Sequence, residues 1–316
     1  MSAISVSGLT KDYGEVLAND DVSFSVAEGE VFGYLGPNGA GKTTTIRTLM
    51  GFLEPTAGTA SLLGHDIRDE AALIQAKQRI GYLPANPSFD ENATGREVLD
   101  LHASIKGDTR RAELLELFDP PLDRKIREYS TGNKQKLGLV QAFMHDPDLV
   151  IMDEPTAGLD PLMQQRFNEF IRQEKEAGTT IFLSSHVLSE VRRVCDRIGI
   201  IREGNIVTVE TVSDLLDRSG KFVRLRVASD LAPADVTLDG VHDLSVRPVD
   251  GLVTEAPMAN GGSVPGSASE LTFTYTGDFN SLVDFVDGYD VLELDVEEAP
   301  LEQVFMRFYG DDEVVA

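Results

Sequence analysis

The sequence predicts an α/β domain with a largely parallel β-sheet, followed by a smaller α+β domain. Through residues 1–210, short apolar runs alternate with amphipathic segments, and this alternation is typical of strands joined by helical crossovers. The clearest apolar runs are residues 31–35, 149–152, 180–183 and 198–201. Apolar runs of about four to six residues bounded by turn signals favour strands that are buried on both faces.

Helical segments lie between these runs. Residues 160–177 form one of them, and residues 86–147 interrupt the alternation with apolar side chains at helix-like spacing. We interpret the second region as a helical insert from the positions of Leu99, Leu101, Ile105, Leu114, Leu115 and Leu117. Glu203-Gly204-Asn205 lies between two β-rich runs and predicts a hairpin turn.

The composition changes after residue 210, where we place a domain boundary. Residues 211–316 contain 21 acidic and 6 basic residues, a net charge of −15. Residues 223–227 and 271–275 alternate like half-buried strands, whereas residues 257–269 are rich in Gly, Ser and Pro and predict a flexible loop. We see no nucleotide motif in this acidic region, and we expect it to be an accessory domain.

The whole chain is strongly acidic. Its 316 residues include 53 acidic and 28 basic ones, which give a net charge of −25. This charge argues against nucleic acid as the main ligand, because phosphate backbones attract fields of Lys and Arg. Only 9 of the basic residues are Lys, and such a composition resembles that of proteins from salt-loving organisms (halophiles). The alternative is an ordinary acidic cytosolic protein.

Three features bear on the compartment in which the chain works. The first residues contain no charged-then-apolar run, so we expect no signal peptide. The longest apolar stretches, such as residues 149–152, are too short to cross a bilayer, so any membrane role is expected to come through a partner. The single cysteine, Cys195, fits a reducing compartment and is expected to be a small buried side chain, with a reactive thiol as the alternative.

The most specific motif is a phosphate-binding loop that matches the pattern G-x-x-x-x-G-K-[ST]. Glycines let backbone N–H groups turn toward phosphates, and the following helix N-terminus favours an anion. Lys42 is expected to reach the β- and γ-phosphates, and the Thr43 hydroxyl to ligate Mg²⁺. The simpler alternative is a glycine-rich turn. The predicted ATP contacts here are Gly36, Pro37, Asn38, Gly39, Ala40, Gly41, Lys42, Thr43 and Thr44, and residues 44–50 are expected to be helical.

The apolar run of residues 149–152 ends in two carboxylates. Asp153 at the strand tip is expected to hold Mg²⁺, directly or through water. Glu154 is expected to polarise the water that attacks the γ-phosphate. A strand that ends in a solvated acidic turn is the alternative, which the preceding phosphate loop makes less favourable.

The order of these motifs and their neighbours resembles that of the nucleotide-binding subunits of ABC transporters. The resemblance covers roughly residues 1–210. Besides the phosphate loop and the acidic strand, it rests on Leu9-Thr10-Lys11-Asp12-Tyr13-Gly14, on Tyr129-Ser130-Thr131-Gly132-Asn133-Lys134-Gln135, on Thr156-Ala157-Gly158-Leu159-Asp160 and on Ser184-Ser185-His186.

The resemblance implies a P-loop NTPase core and roles for five further residues. Tyr13 would stack on adenine, Asp160 belongs to the D-loop, and His186 is the switch histidine that contacts the γ-phosphate. Ser130 and Gly132 would bind the γ-phosphate of ATP held by a second subunit. Each site would then be completed by a homodimer or by a pair of ATP-binding subunits. Taken singly, Tyr13, His186 and Ser130 are more simply a surface tyrosine, a structural histidine and a helix N-cap.

The family also implies a partner and a location. ATP hydrolysis would power transport through a separately encoded polytopic permease, with this subunit peripheral at the cytoplasmic face of the cell membrane. The variant Ser-x-Gly-x-Lys-Gln in residues 130–135 and the ending in residues 301–310 resemble the subgroup that serves ABC-2-type exporters. The chief rival is a soluble ABC-type ATPase that acts on ribosomes or in DNA repair. A regulatory nucleotide-binding module without turnover is disfavoured by Glu154 and His186.

Two positions depart from the family pattern. Residues 129–135 stand where the family has its signature motif, and Thr131 replaces a glycine that is usual there. Ala85 stands where the family often has a glutamine that contacts Mg²⁺ or the attacking water. A methyl group can do neither, so Ala85 departs from the family at a position that serves coupling to the membrane subunit. Asn86 is the nearest side chain that could supply the missing oxygen.

We predict that the melting temperature rises markedly between 0.1 and 2 M KCl. Self-repulsion of a chain with a charge of −25 loosens the fold at low ionic strength, and a Debye length of about 3 Å at 1 M salt screens it. Differential scanning calorimetry over this range measures the effect. A flat response would contradict adaptation to salt and favour an ordinary acidic protein.

Overall fold

The computed structural model describes residues 1–249 and 268–298. Its contacts divide the chain into two compact units, Met1–Val212 and Ser213–Ala316. No helix within the described residues combines the length and the apolarity that crossing a bilayer requires.

The first unit is a mixed α/β structure. Its strands are β1 (Ser2–Asp12), β2 (Leu17–Ala27), β3 (Val31–Leu35), β4 (Ala57–Leu62), β5 (His65–Asp66), β6 (Ile80–Leu83), β7 (Leu149–Asp153), β8 (Thr180–Ser185), β9 (Arg197–Arg202) and β10 (Asn205–Thr211). Its helices are α1 (Lys42–Leu49), α2 (Glu70–Lys77), α3 (Gly95–Lys106), α4 (Arg111–Phe118), α5 (Thr131–Phe143), α6 (Pro161–Glu176) and α7 (Leu188–Val194).

The main sheet has the order β10-β9-β3-β8-β7-β6 and is parallel except for β10. The prediction of a mostly parallel sheet is therefore confirmed. Every residue of β3, β7 and β8 is buried. Parallel strands covered on both faces have this apolar character throughout, which is why their sequences are nearly continuous apolar runs.

The predicted hairpin joins β9 to β10. Arg202 pairs with Asn205, which leaves a two-residue turn of Glu203 and Gly204. Both turn residues have positive φ, 49° and 81°, as a tight hairpin between right-twisted strands requires.

A second, antiparallel sheet of order β2-β1-β4-β5 is a feature that the apolar runs do not predict. It shares one apolar core with the main sheet, and aromatic rings form part of that contact. The ring centroid of Phe24 on β2 lies 5.5 Å from that of Phe32 on β3 and 5.7 Å from that of Phe182 on β8. Polar residues alternate with apolar ones along β1 and β2, so these strands lack the continuous apolar signal.

The helical insert is confirmed, since residues 86–147 contain α3, α4 and α5. Leu99 and Leu114 are fully buried, whereas Leu101 and Ile105 point outward and are 66% and 61% exposed. Helical spacing therefore identified the helices correctly but did not assign all of these side chains to the core.

An ion pair ties the insert to α6. The guanidinium of Arg110, just before α4, donates to both carboxylate oxygens of Glu174 at 2.6 and 2.8 Å. Glu174 is only 2% exposed. This bidentate pair fixes the insert against the body of the first unit, because removing Arg110 would leave the buried Glu174 carboxylate without its counter-ion.

The second unit is a small α+β structure, as predicted. Its elements are α8 (Val212–Ser219), β11 (Lys221–Val227), β12 (Val241–Val249), β13 (Ala268–Tyr275), α9 (Phe279–Asp287) and β14 (Val291–Glu298). The strands form an antiparallel sheet of order β12-β13-β11-β14. Leu282 of α9 shares a core with Val223, Leu225 and Phe273 of the sheet.

Two sequence predictions for this region have a mixed outcome. Of the loop expected over residues 257–269, residues 257–267 lie outside the described part of the chain. Ala268 and Ser269 are buried in β13, so the loop prediction is wrong for them. The family-like ending at residues 301–310 also lies outside the described residues.

Candidate active site

The phosphate loop connects the carboxyl end of β3 to α1. Helix α1 begins at Lys42, two residues before the predicted start. Gly41 has φ of 106°, and a Cβ placed on it would lie 2.4 Å from the carbonyl oxygen of Ala18. Gly39 also has a positive φ, 85°, but the space beside it is open. The loop is therefore packed tightly against β2 at Gly41, whereas a ligand could approach it at Gly39.

Lys42 is held inside this loop. Its side chain is 6% exposed, and Nζ donates to the carbonyl oxygens of Gly36 at 2.6 Å and Pro37 at 3.2 Å. Helix α1 has no acidic residue in its first turn and no side-chain cap at Gly41. A fixed ammonium and free N–H groups at a helix N-terminus are together chemically suited to bind an anion.

Groups from β2, β3 and the β9–β10 turn form hydrogen bonds that hold the loop and the first turn of α1 in place. The amide of Asn19 on β2 donates to Thr45 Oγ1 at 3.0 Å, and the buried Tyr34 hydroxyl lies 3.2 Å from the same oxygen. The backbone N–H of Gly204, in the β9–β10 turn, donates to Ala40 O at 3.0 Å. These contacts preorganise the loop, so that little ordering is needed when an anion binds.

Asp153 lies at the end of β7 and faces the loop. Its Oδ2 accepts from the Thr43 hydroxyl at 2.7 Å, and its Oδ1 accepts from the Ser184 hydroxyl. Asp153 is 2% exposed. Strands β7 and β8 are adjacent and parallel, so their carboxyl ends bring Asp153 and Ser184 together.

Glu154 occupies the centre of the cluster. Its Oε1 lies 3.4 Å from Lys42 Nζ, and its Oε2 lies 2.9 Å from Nδ1 of the half-exposed His186. The backbone N–H of Glu154 donates to Ser184 Oγ at 3.1 Å. The structure thus brings together Lys42, Thr43, Asp153, Glu154 and His186, from three separate parts of the sequence.

The remaining predicted residues lie at helix ends or turns. Ser130 is the N-cap of α5, where its Oγ accepts from the Asn133 N–H at 3.2 Å. Asp160 caps α6 in the same way through Met163 N at 2.9 Å. In the described part of the chain, the hydrogen bonds of both side chains are of this capping kind, so neither joins the Glu154 cluster of its own subunit.

The signature segment, residues 129–135, contacts the D-loop, residues 156–160. A Cβ on Gly132 would lie 2.5 Å from the carbonyl oxygen of Gly158, so only glycine fits at position 132 without displacing the backbone. Thr131, which departs from the family pattern, is accommodated at the first helical position with its methyl group beside Gly158.

Tyr13 and Ala85 lie away from the hydrogen-bonded cluster. Tyr13 is in the turn after β1, is 53% exposed, and has Lys11 Nζ at 5.1 Å from its ring centroid. Ala85 is half-buried and Asn86 exposed, just after β6. The segment is held nearby through Pro87, which packs against Gly138 of α5.

Three residues support the site although the sequence analysis assigned them no role of their own. Ser184 positions both acidic residues, Gln135 donates to the backbone of the Glu154 turn, and Glu190 accepts from Thr156 Oγ1 at 2.7 Å and from Ser185 Oγ at 3.0 Å. Their signal in the sequence is weak, because a buried polar residue is recognised only when its partner is known.

Comparisons with known proteins agree with this geometry. The family model described as ABC transporter matches residues 19–157. The bacitracin transport ATP-binding protein BcrA of Bacillus licheniformis is 35% identical over 318 residues, which cover 97% of each chain. The linearmycin resistance ATP-binding protein LnrL of Bacillus subtilis is 33% identical, over 96% of each chain.

A solved structure of the ATP-binding subunit of an ABC transporter has a TM-score of 0.63 and 33% identity, and the match covers 68% of this chain and 92% of that one. The matched part of that structure has the α/β fold class that was predicted for the first unit. The phosphate loop, the acidic strand and the full-length similarity lead to one conclusion: the chain belongs to the ATP-binding, ATP-hydrolysing subunits of the ABC transporter family.

Proposed function

We propose that this subunit hydrolyses ATP with Mg²⁺ at a dimer interface and powers an ABC-2-type exporter through a separate polytopic permease. The single observation that carries the export proposal is the similarity to a bacitracin transport protein over 97% of both chains, beyond the nucleotide-binding region. In this assignment residues 1–210 form the ATP-binding domain and residues 211–316 an accessory domain.

ATP binding uses the chemistry of the loop. Lys42 and the N–H groups from Gly39 to Thr43 would hold the β- and γ-phosphates, with Gly36, Pro37, Asn38, Ala40, Gly41 and Thr44 shaping the cradle. The open space beside Gly39 and the free first turn of α1 support this assignment. Tyr13 is exposed and would offer its ring to adenine.

The donor atoms beside the loop fit Mg²⁺. The Thr43 hydroxyl and the Asp153 carboxylate are hard oxygen donors whose oxygens lie 2.7 Å apart. The described residues contain no group of three or more His, Cys, Asp or Glu side chains that could enclose a metal. Mg²⁺ suits such a partial site because it keeps several waters and takes further oxygens from phosphates. When bound, it would neutralise charge on the transferring phosphoryl group.

Glu154 and His186 would perform the proton and phosphate chemistry. The Glu154 carboxylate is held by Lys42 on one side and His186 on the other, which places it at the mouth of the loop. A γ-phosphate that engages Lys42 would leave Glu154 Oε1 available to accept a hydrogen bond from a water. The Glu154 carboxylate would then take the proton as the water oxygen bonds to the γ-phosphorus, and His186 would contact the phosphate. The bond from that phosphorus to the β–γ bridging oxygen would break, with ADP as the leaving group.

The positions of Ser130 and Gly132 support completion of the site by a second subunit. Neither joins the cluster of its own chain, yet the N-terminus of α5 offers backbone N–H groups and contains no acidic residue in its first turn. Asp160 lies in the segment that contacts this helix terminus. A head-to-tail dimer, either homodimeric or paired with another ATP-binding subunit, would place these groups against the ATP of the partner.

An exposed apolar patch on the first unit supports docking to a membrane partner at the cytoplasmic face. Its large apolar side chains are each more than half exposed, and they are Phe52, Ile74, Leu101 and Ile105. Lys77 of α2 lies over the Phe52 ring, and its charge acts on Lys106 of α3, so Phe52, α2 and α3 lie near one another. Exposed apolar groups on neighbouring elements favour a protein contact. We use the name docking patch for these four residues together with Lys77 and Lys106.

The two lysines give the docking patch its charge. Lys77 Nζ lies 5.1 Å from the Phe52 ring centroid, and Lys106 Nζ donates to Ile80 O at 2.7 Å, which joins α3 to β6. Burial, and then the nearby charge of Lys77, lower the pKa of Lys106 to about 8. Neither lysine forms an ion pair with a carboxylate of the described residues. The patch therefore suits an amphipathic partner segment that carries a carboxylate.

We predict that Glu154→Gln binds ATP but loses about 10²-fold or more of its turnover, because the positioned base is removed. Steady-state ATPase and equilibrium ATP binding measure the two effects. The variant should accumulate as an ATP-bound dimer in size-exclusion chromatography. Turnover at the wild-type rate would contradict the role of Glu154.

We predict that Lys42→Ala and Ser130→Arg subunits are each inactive alone but partly active when mixed. One mixed dimer then contains one site with both defects and one site with neither. ATPase activity across mixing ratios measures this complementation. Full activity of Ser130→Arg by itself would contradict completion in trans.

We predict that Leu101→Asp combined with Ile74→Asp prevents binding to native membrane vesicles stripped of peripheral proteins, because charge in the docking patch opposes an apolar contact. Val207→Asp, at a 44% exposed residue outside the patch, is the matched control and should still bind. Sedimentation of vesicles with tagged subunit measures binding. If the wild-type protein fails to bind, a soluble ABC-type ATPase is favoured instead.

A further inference from the structure

Gln135 connects helix α5 to the backbone beside the catalytic acid. Its side chain is fully buried, and Nε2 donates to Pro155 O at 2.9 Å and to Glu154 O at 3.3 Å. Its Oε1 is buried without a hydrogen-bond partner among the described residues. The bonds of this amide are therefore all made by its nitrogen, and both are directed at one turn.

The same helix carries the signature serine. Ser130 caps α5, and Gln135 follows within its first turns. Close packing holds the helix along its length, because a Cβ on Gly132 would meet Gly158 O at 2.5 Å and one on Gly138 would meet Leu83 Cδ1 at 2.5 Å. With so little free space around it, α5 and the Glu154 turn cannot shift independently.

The turn that Gln135 holds is conformationally unfavourable for its residue. Glu154 has φ of 49°, a left-handed conformation that side-chain-bearing residues adopt at a cost and that persists only when neighbours enforce it. On the β8 side, Ser184 binds the N–H of Glu154 through its hydroxyl and its carbonyl oxygen. On the α5 side, Gln135 binds the carbonyl of the same residue.

We propose that Gln135 is a positioning residue for ATP hydrolysis. It holds the Glu154 backbone so that the carboxylate lies between Lys42 and His186, and it transmits any displacement of the α5 N-terminus to that carboxylate. Contact between Ser130 and the nucleotide of the opposing subunit would therefore alter the position of Glu154, the proposed general base, in the subunit to which Ser130 belongs. This inference rests on the proposed roles of Ser130 and Glu154.

The side-chain chemistry explains why glutamine suits this position. Its amide supplies two N–H donors without charge, and the site presents two carbonyl oxygens. Methionine has nearly the same length and volume but no donor, so it would leave both carbonyls without this bond. A glutamate carboxylate would place acceptors against acceptors, whereas its protonated form could donate one bond.

The first test compares Gln135→Met with Gln141→Met. Gln141 is on the same helix, and its amide contacts His102 Nδ1 at 3.1 Å instead of the Glu154 turn. For Gln135→Met we expect kcat to fall about tenfold, since two hydrogen bonds that fix the base are lost, with KM for ATP within about twofold of wild type. Gln141→Met should keep kcat within about twofold. Equal loss in both variants, or an unchanged kcat in Gln135→Met, overturns the inference.

A double-mutant cycle separates this inference from the proposed function. In the Glu154→Gln background, Gln135→Met should not lower the residual single-turnover rate further, because Gln135 acts through Glu154. A further loss of about tenfold would show a general packing role and overturn the inference. If Glu154→Gln itself turns over normally, the proposed function fails instead, irrespective of Gln135.

Gln135→Glu supplies a readout that a merely structural role would not give. Its kcat, relative to wild type at the same pH, should rise as pH falls, since the carboxylic acid that forms can donate one hydrogen bond to the turn. Thermal melting at each pH controls for stability. A relative kcat that is flat across pH, with the fold intact, also overturns the inference.

Discussion

The site depends on the hydrogen bond between Thr43 and Asp153, which joins the end of the phosphate loop to the tip of β7. This contact forms because β3, β8 and β7 are neighbouring parallel strands in the sheet, and their carboxyl ends lie at the same edge. A βα loop after β3 must then face the residues that follow β7 and β8. The fold places the Lys42 ammonium, the Thr43 hydroxyl and the carboxylates of Asp153 and Glu154 together, as a preorganised site requires.

This preorganisation has a conformational cost at the backbone of Glu154. Its positive φ is imposed from both sides, by Ser184 at the N–H and by Gln135 at the carbonyl. Ser184 belongs to the main sheet and Gln135 to the helical insert, so the orientation of the side chain proposed as the catalytic base depends on two parts of the first unit. The Arg110–Glu174 pair fixes the same insert to α6, which limits how far α5 can move.

The main sheet and the residues of the central cluster could be predicted from the sequence because both have strong local signals. The apolar runs became β3, β7, β8 and β9, and the phosphate-loop pattern identified Lys42 and Thr43 without knowledge of the fold. The antiparallel sheet was missed because its strands alternate polar with apolar residues. Gln135 and Ser184 were missed as supports because their importance arises from partners distant in sequence, 20 and 31 residues away.

Charge links the composition of the chain to its chemistry. With a net charge of −25, the protein repels an anionic nucleotide at long range, so binding depends on short-range groups. In the proposed site, the buried ammonium of Lys42 and the N-terminus of α1 supply these groups, and salt screens a buried charge much less than it screens the surface. High ionic strength would therefore weaken the surface repulsion while leaving most of the local attraction in place. The acidic surface and the phosphate loop are compatible because they act over different distances.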